Sequence, residues 1–230
     1  MRNLFVRTRF GQVVFCAPDE VLKARDPAIL MIHGAFRAAS TLLPWQDRLP
    51  NVVFANLPGH GGAPMLTQTS LDAWTEALSA GIAAAMPRPV LAVGESLGGL
   101  VALGLTGVGG VVAFDPFFRT DALWPVRAAM SAAIALGKSN PAAPIFAPGQ
   151  TYYRQLDRTE ALATVVTGDV PLMPERPLDR APCLMEEADC TAAAARVQLV
   201  RIAGGHNLLD EQPDACRQII LDAFARMQAP

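Results

Sequence analysis

Four uninterrupted apolar runs punctuate the first half of the chain: Ile29-Leu-Met-Ile, Val52-Val-Phe-Ala, Val90-Leu-Ala-Val and Val111-Val-Ala-Phe. Each has strand length and is rich in aliphatic residues, and polar or glycine clusters bound it. Runs without alternation predict strands buried on both faces, the pattern of a parallel sheet. Between them the period turns helical. Leu71, Trp74, Leu78 and Ile82 recur at three and four, predicting a helix over 71–86 that Pro87 ends. Shorter helices are expected over 42–49 and 96–105. Ahead of the first run, Phe5-Val-Arg-Thr-Arg and Gln12-Val-Val-Phe alternate on either side of Gly11 and predict a hairpin.

The strand–helix rhythm breaks after Asp115. Residues 115–160 hold one convincing helical stretch, 121–136, followed by a proline-rich segment and Tyr152-Tyr153. Leu162-Ala-Thr-Val-Val-Thr and Val197-Gln-Leu-Val-Arg-Ile then resume the buried-strand pattern, with 182–196 reading as a helix between them. A last helix over 213–227 places Ala215, Ile219, Ile220, Ala223 and Phe224 on one stripe. Repeated short βαβ units predict an α/β fold, a doubly wound and mostly parallel sheet. Residues 1–230 are thus expected to form a single domain, with 115–160 a small helical cap above the sheet's carboxyl edge.

Composition narrows the function classes. Hydrophobic residues make 51% of the 230 and charged residues 17%, which supplies a large core and excludes disorder. The 19 Lys and Arg balance 21 Asp and Glu, and no basic run stands out, so nucleic acid is not an expected partner. Residues 96–114 are charge-free over bilayer length, but six glycines divide them into helix and strand, so no membrane span is expected. Arg7 and Arg9 interrupt what would be the apolar core of a signal peptide, which reads as a cytoplasmic protein. Cys16, Cys183, Cys190 and Cys216 lack metal-ligand spacing and read as small buried hydrophobes; no metal and no cofactor is expected.

The chemistry concentrates at Gly94-Glu95-Ser96-Leu97-Gly98. This G-x-S-x-G string follows an apolar strand and precedes a helix, the setting in which a tight turn pushes the serine hydroxyl out above a sheet. A serine hydroxyl needs a base to become a nucleophile. Of the three histidines, His33 and His60 end early strands and read as loop-shaping residues whose rings bond local backbone. His206, in the loop after the last strand, is the expected base. Three carboxylates compete to orient it: Asp169 after the fifth buried strand, which is preferred, Asp115 after the fourth, and Asp189. Backbone N–H groups of Leu97 and Ala35 are the expected oxyanion donors, with Phe36 beside them.

Together these pieces resemble the α/β-hydrolase fold family. The resemblance runs through His33-Gly34, Leu57-Pro-Gly-His-Gly, Gly94-Glu-Ser-Leu-Gly-Gly and Gly205-His206-Asn207 in that order. The sequence departs from the family pattern twice. Asn56 stands where an Asp usually precedes Leu-Pro-Gly-His-Gly, and Asp169 directly follows Gly168, whereas the family's acid more often lies three residues after such a glycine. The resemblance implies a serine hydrolase of small carboxylic esters. Alternatives are a thioesterase or lactonase on the same residues, and a non-catalytic ligand-binding member of the fold. Residues 115–160 carry Phe117, Phe118, Trp124, Phe146, Tyr152 and Tyr153, which either line an apolar substrate site or seat the cap. Phe36, Phe117 and Trp124 are the expected substrate contacts, and a small-molecule ester or thioester is the expected partner. A short insert predicts an open or shallowly covered pocket.

Overall fold

The computed structural model describes residues 1–137, 140–159, 161–172 and 181–229. The apolar runs are strands: β3 (Ala28–Ile32), β4 (Val52–Asn56), β5 (Val90–Glu95) and β6 (Gly110–Phe114), each buried along its whole length. Ahead of them β1 (Arg2–Thr8) and β2 (Gly11–Ala17) form the hairpin, and after them come β7 (Leu162–Thr167) and β8 (Gln198–Arg201). Among the described residues these strands make one sheet in the order β1-β2-β4-β3-β5-β6-β7-β8. β2 meets β1 and β4 antiparallel, and every pairing from β4 through β8 is parallel.

Both faces are covered because both faces are apolar. Leu30, Ile32, Val90 and Ala92 point to one core, against α2 (Leu71–Ala85) and α3 (Leu97–Leu103). Their neighbours Ile29, Met31, Leu91 and Val93 point to the other, which α8 (Pro213–Gln228) covers. The buried stripe of α8 runs through Cys216, Ile220 and Ala223. Ala215, expected on the stripe, is exposed, one position off the buried one. Ser70 caps α2, its hydroxyl accepting the Ala73 N–H at 3.1 Å, which satisfies one of the donors a helix start leaves free. The helix expected over 42–49 is instead a 3-10 turn at Ala39–Trp45 with Pro44 inside it. Three short helices escape hydrophobic periodicity: α1 (Asp19–Lys23), which buries nothing, α5 (Arg154–Arg158), and α7 (Leu208–Glu211), a single turn.

Between β6 and β7 the chain carries α4 (Trp124–Ala135) and α5 (Arg154–Arg158). Phe117 is fully buried there, with Phe146 at 4.6 Å and Tyr152 at 6.0 Å between ring centroids. These rings fasten the segment to the core. Between β7 and β8, α6 (Glu187–Ala194) is shorter than the expected 182–196. No helix among the described residues is long and apolar enough to cross a membrane.

The sheet's strand order reverses between β3 and β5. In a doubly wound sheet the crevice at the carboxyl ends of such neighbouring strands is where ligands bind.

Candidate active site

Ser96 sits at that crevice, on the turn from β5 into α3, with φ 54° and ψ −122°. A non-glycine residue held at positive φ is strained and persists only where its surroundings over-determine it. Two glycines do so here. A Cβ on Gly94 would lie 2.1 Å from the Gly98 carbonyl oxygen, and one on Gly98 would lie 2.3 Å from that of Ile32. Only hydrogen fits at either place, so helix and strands close tightly and the serine is lifted out.

Ser96, Glu95, His206 and Asn207 share one cavity of about 90 Å³ with the loop from Gly34 to Arg37. His206 Nδ1 lies 2.6 Å from Asp115 Oδ2. Asp115 directly follows β6 at φ 40°, is fully buried, and also accepts from the Leu184 N–H at 2.8 Å and the Thr167 hydroxyl at 3.0 Å. Two donors besides the ring itself fix this carboxylate against it. With Nδ1 as the donor toward Asp115, Nε2 is left as the ring's acceptor.

Of the three candidate carboxylates, the structure brings Asp115 to the His206 ring, and not the preferred Asp169. Asp169 closes a reciprocal pair with Gly204 instead: its N–H donates to the Gly204 carbonyl at 3.0 Å, and its Oδ1 accepts the Gly204 N–H at 2.9 Å. Asp169 therefore shapes the loop that carries His206, two residues upstream of it, while Asp115 holds the ring. Asp189 is spent elsewhere, accepting from Arg119 at 3.0 Å and capping α6.

The loop after β3 has its carbonyls pinned by the two remaining histidines. His33 Nε2 accepts the Leu57 N–H at 3.0 Å, so the proton is on Nδ1, which donates to the Gly34 carbonyl at 2.8 Å. Burial holds His33 well below the usual imidazole range, at about 4, despite that bond, so the ring stays neutral. His60 Nε2 lies 2.9 Å from the Ala35 carbonyl and Nδ1 lies 3.0 Å from that of Pro58. In a trans peptide the C=O and N–H point opposite ways, so fixing the Gly34 and Ala35 carbonyls turns the N–H groups of Ala35 and Phe36 away from the histidines. Among the described residues neither N–H has a protein acceptor, in contrast to Gly34, whose N–H donates to Glu95 Oε1 at 3.3 Å. The Leu97 N–H opens α3, in the first turn where helical N–H groups lack intrahelical partners.

Of the expected substrate contacts, Phe36 lines the cavity and is 59% exposed. Phe117 does not, being buried in the aromatic cluster, and Trp124 stands 55% exposed at the start of α4, outside the cavity lining. Sequence reasoning passed over Arg37 and Asp210 and left Glu95 without a role. A charge at the end of the apolar strand β5 was the available signal, since a buried carboxylate demands a partner. Glu95 finds it in Arg37, at 2.8 Å. Among the described residues no cluster of three or more His, Cys, Asp or Glu is arranged to hold a metal ion. The Cys183 thiol, close to Asp115, is pushed up to about 12 by burial and by that carboxylate, which suits a packing residue rather than a nucleophile.

Comparison with known proteins gives consistent results. The sequence model described as "Alpha/beta hydrolase family" matches residues 29–219. A pimeloyl-[acyl-carrier protein] methyl ester esterase from Methylococcus capsulatus is 39% identical over 82 residues, covering 34% of this chain and 31% of the relative. An esterase of the same name from Chromobacterium violaceum is 31% identical over 147 residues, covering 60% of this chain and 51% of the relative. The matched stretches thus span about a third and about half the length of these relatives. Among solved structures, a thermophilic esterase from Thermogutta terrifontis superposes with TM-score 0.73 at 16% identity, covering the whole of both chains. The enol-lactonase from Burkholderia xenovorans LB400 gives TM-score 0.74 at 13% identity, covering 96% of this chain and all of the other. At such identities the likeness is one of fold.

Proposed function

The chain belongs to the α/β-hydrolase family, and from that premise we propose that it is a serine hydrolase of small carboxylic esters. The observation that carries the reading is the pairing of His206 with the buried Asp115 in the same cavity as a serine held at positive φ. In this reading Ser96 attacks the ester carbonyl while His206 Nε2 takes the hydroxyl proton, and Asp115 keeps the ring in the tautomer that leaves Nε2 free and stabilises the imidazolium as it forms. The same proton then passes to the departing alcohol. Water, deprotonated by His206, attacks the acyl-enzyme; as the bond from the acyl carbon to Ser96 Oγ breaks, His206 returns that proton to Oγ and the acid is released.

Charge developing on the carbonyl oxygen is met by the N–H groups of Leu97 and Ala35, with Phe36 adjacent. Each donor of this kind is worth about 10²–10³ in rate when aimed at the oxyanion beforehand. Support comes from the pinned carbonyls of Gly34 and Ala35, which fix the loop before any substrate arrives. Residues 1–230 form one hydrolase domain in this reading, with 115–160 a small cap. The cavity of about 90 Å³ favours a short acyl group, and Phe36 offers it an apolar wall. Ester bonds are also what the named relatives act on, the two pimeloyl-[acyl-carrier protein] methyl ester esterases among them.

A fluorophosphonate probe followed by peptide mass spectrometry tests the proposal. Label is expected on Ser96, with loss in Ser96→Ala; folded protein that takes none removes the serine mechanism. Hydrolysis of p-nitrophenyl acetate and butyrate, measured beside acyl-CoA thioesters and simple lactones, assigns the bond cleaved. The expected order places short oxygen esters first.

A further inference from the structure

Arg37 joins three loops that sequence keeps far apart. Its Nη1 lies 2.8 Å from Glu95 Oε2, on the residue just before Ser96. Its Nη2 lies 2.6 Å from Asp210 Oδ2, in α7, which begins two residues after His206. Arg37 itself stands two residues after Ala35 and lines the cavity. The second oxygen of Glu95 accepts the Gly34 N–H at 3.3 Å, tying the elbow once more to the loop after β3. One planar guanidinium therefore spans the nucleophile turn, the oxyanion loop and the histidine loop.

Resting on the serine-hydrolase reading above, we propose that Arg37 is a positioning residue that sets the relative placement of these three loops and thereby the rate at which Ser96 is acylated. The guanidinium fork suits the task because its N–H groups are fixed in one plane and reach two carboxylates in set directions, which a lysine ammonium cannot do. The two arms are unequal. The Arg37 and Glu95 side chains are 24% and 8% exposed, so water screens their attraction little, whereas Asp210 is 54% exposed and its arm is weakened by solvent. Without Arg37, Glu95 would be a buried carboxylate with no cation beside the nucleophile, and burial already pushes its carboxyl up against the opposing pull of Arg37. A pair that served stability alone would lower the melting temperature and leave turnover intact. A pair that holds three loops in register lowers kcat and leaves substrate affinity nearly unchanged.

The experiment measures kcat and KM on p-nitrophenyl butyrate, together with the rate of fluorophosphonate labelling of Ser96. Wild type is compared with Arg37→Lys, Arg37→Ala and Asp210→Asn, each checked for folding by circular dichroism. Arg37→Lys is expected to lose about 10- to 100-fold in kcat and in labelling rate with KM within about threefold, the scale that misplacement of reacting groups by about an ångström produces. Asp210→Asn should lose less than about fivefold, its arm being solvent-exposed. Millimolar methylguanidinium should restore part of the labelling rate in Arg37→Ala and none in wild type. Should Arg37→Ala fail to fold, Arg37→Lys decides, because it keeps the charge and loses the fork. Lysine and alanine variants that label as fast as wild type overturn the role of Arg37 alone, as does a loss carried wholly by KM. A wild type that takes no label overturns the serine-hydrolase reading before any variant is compared, and the role of Arg37 falls with it.

Discussion

Two aspartates follow neighbouring parallel strands, and their surroundings divide the work between them. Asp115 accepts from His206, Leu184 and Thr167 and is fully buried, while Asp169 is turned to the backbone of Gly204. Asp115→Asn is therefore expected to cut kcat by about 10³–10⁴, since an amide in place of the carboxylate favours the wrong tautomer and no longer stabilises the imidazolium. Asp169→Asn keeps an oxygen for the Gly204 N–H and should stay within about threefold of wild type. Steady-state kinetics on a short p-nitrophenyl ester separate the two, and the reverse ranking would return the role to Asp169. The sequence could not make this distinction. Both residues end a buried strand, and what selects Asp115 is the path of the loops around it: the Leu184 N–H reaches it from 69 positions away and the His206 ring from 91.

At the scale of elements, what could be read and what could not follow from the range of the forces involved. β3, β4, β5 and β6 were legible because a strand buried on both faces leaves an unbroken apolar run, and the elbow was legible because close packing there tolerates only glycine. α1 and α7 were missed because helices of five and four residues bury too little to impose a period. Phe117 and Trp124 fall outside the cavity lining for a related reason: aromatic content marks a segment that packs, and which ring faces the cavity is set by tertiary contacts absent from the string. The elbow also supplies the sharpest test of an element junction. A Cβ at Gly98 would lie 2.3 Å from the Ile32 carbonyl oxygen and 2.5 Å from that of His33, both backbone atoms that a side-chain rotation cannot relieve. Gly98→Ala must push α3 off β3, at about 1–3 kcal/mol. The urea midpoint should fall accordingly and Ser96 labelling should slow, whereas a variant as stable and as reactive as wild type would mean that the elbow is not closed as described.

For the whole molecule the informative variable is pH, because the residue that ties the loop after β3 to the loop after β4 is a histidine kept neutral. His33 follows β3, donates to Gly34 in its own loop and accepts from Leu57 beyond β4, and burial lowers its pKa from 6.5 to about 4. Above about pH 7.5 the ring is neutral whether the chain is folded or not, so its contribution to stability is constant. As pH falls from 6.5 toward 4 the unfolded chain takes up a proton that the folded chain refuses, and stability drains away by about 3 kcal/mol before levelling off below the folded value. Glu95 works in the opposite direction: its raised folded pKa lets the folded chain bind a proton first, so its penalty is relieved as pH falls toward the ordinary carboxylate range. The two contributions overlap in wild type and must be separated by difference. His33→Gln retains an acceptor for the Leu57 N–H and cannot titrate, leaving the Glu95 contribution common to both proteins. Urea unfolding of the pair at several pH values between 7.5 and 4 should therefore show wild type losing its advantage over the variant by about 3 kcal/mol across that window, with most of the change below pH 6. A difference between the two proteins that stays constant with pH would mean that His33 takes up its proton equally well in the folded chain, and that its bond from Leu57 does not depend on a neutral ring.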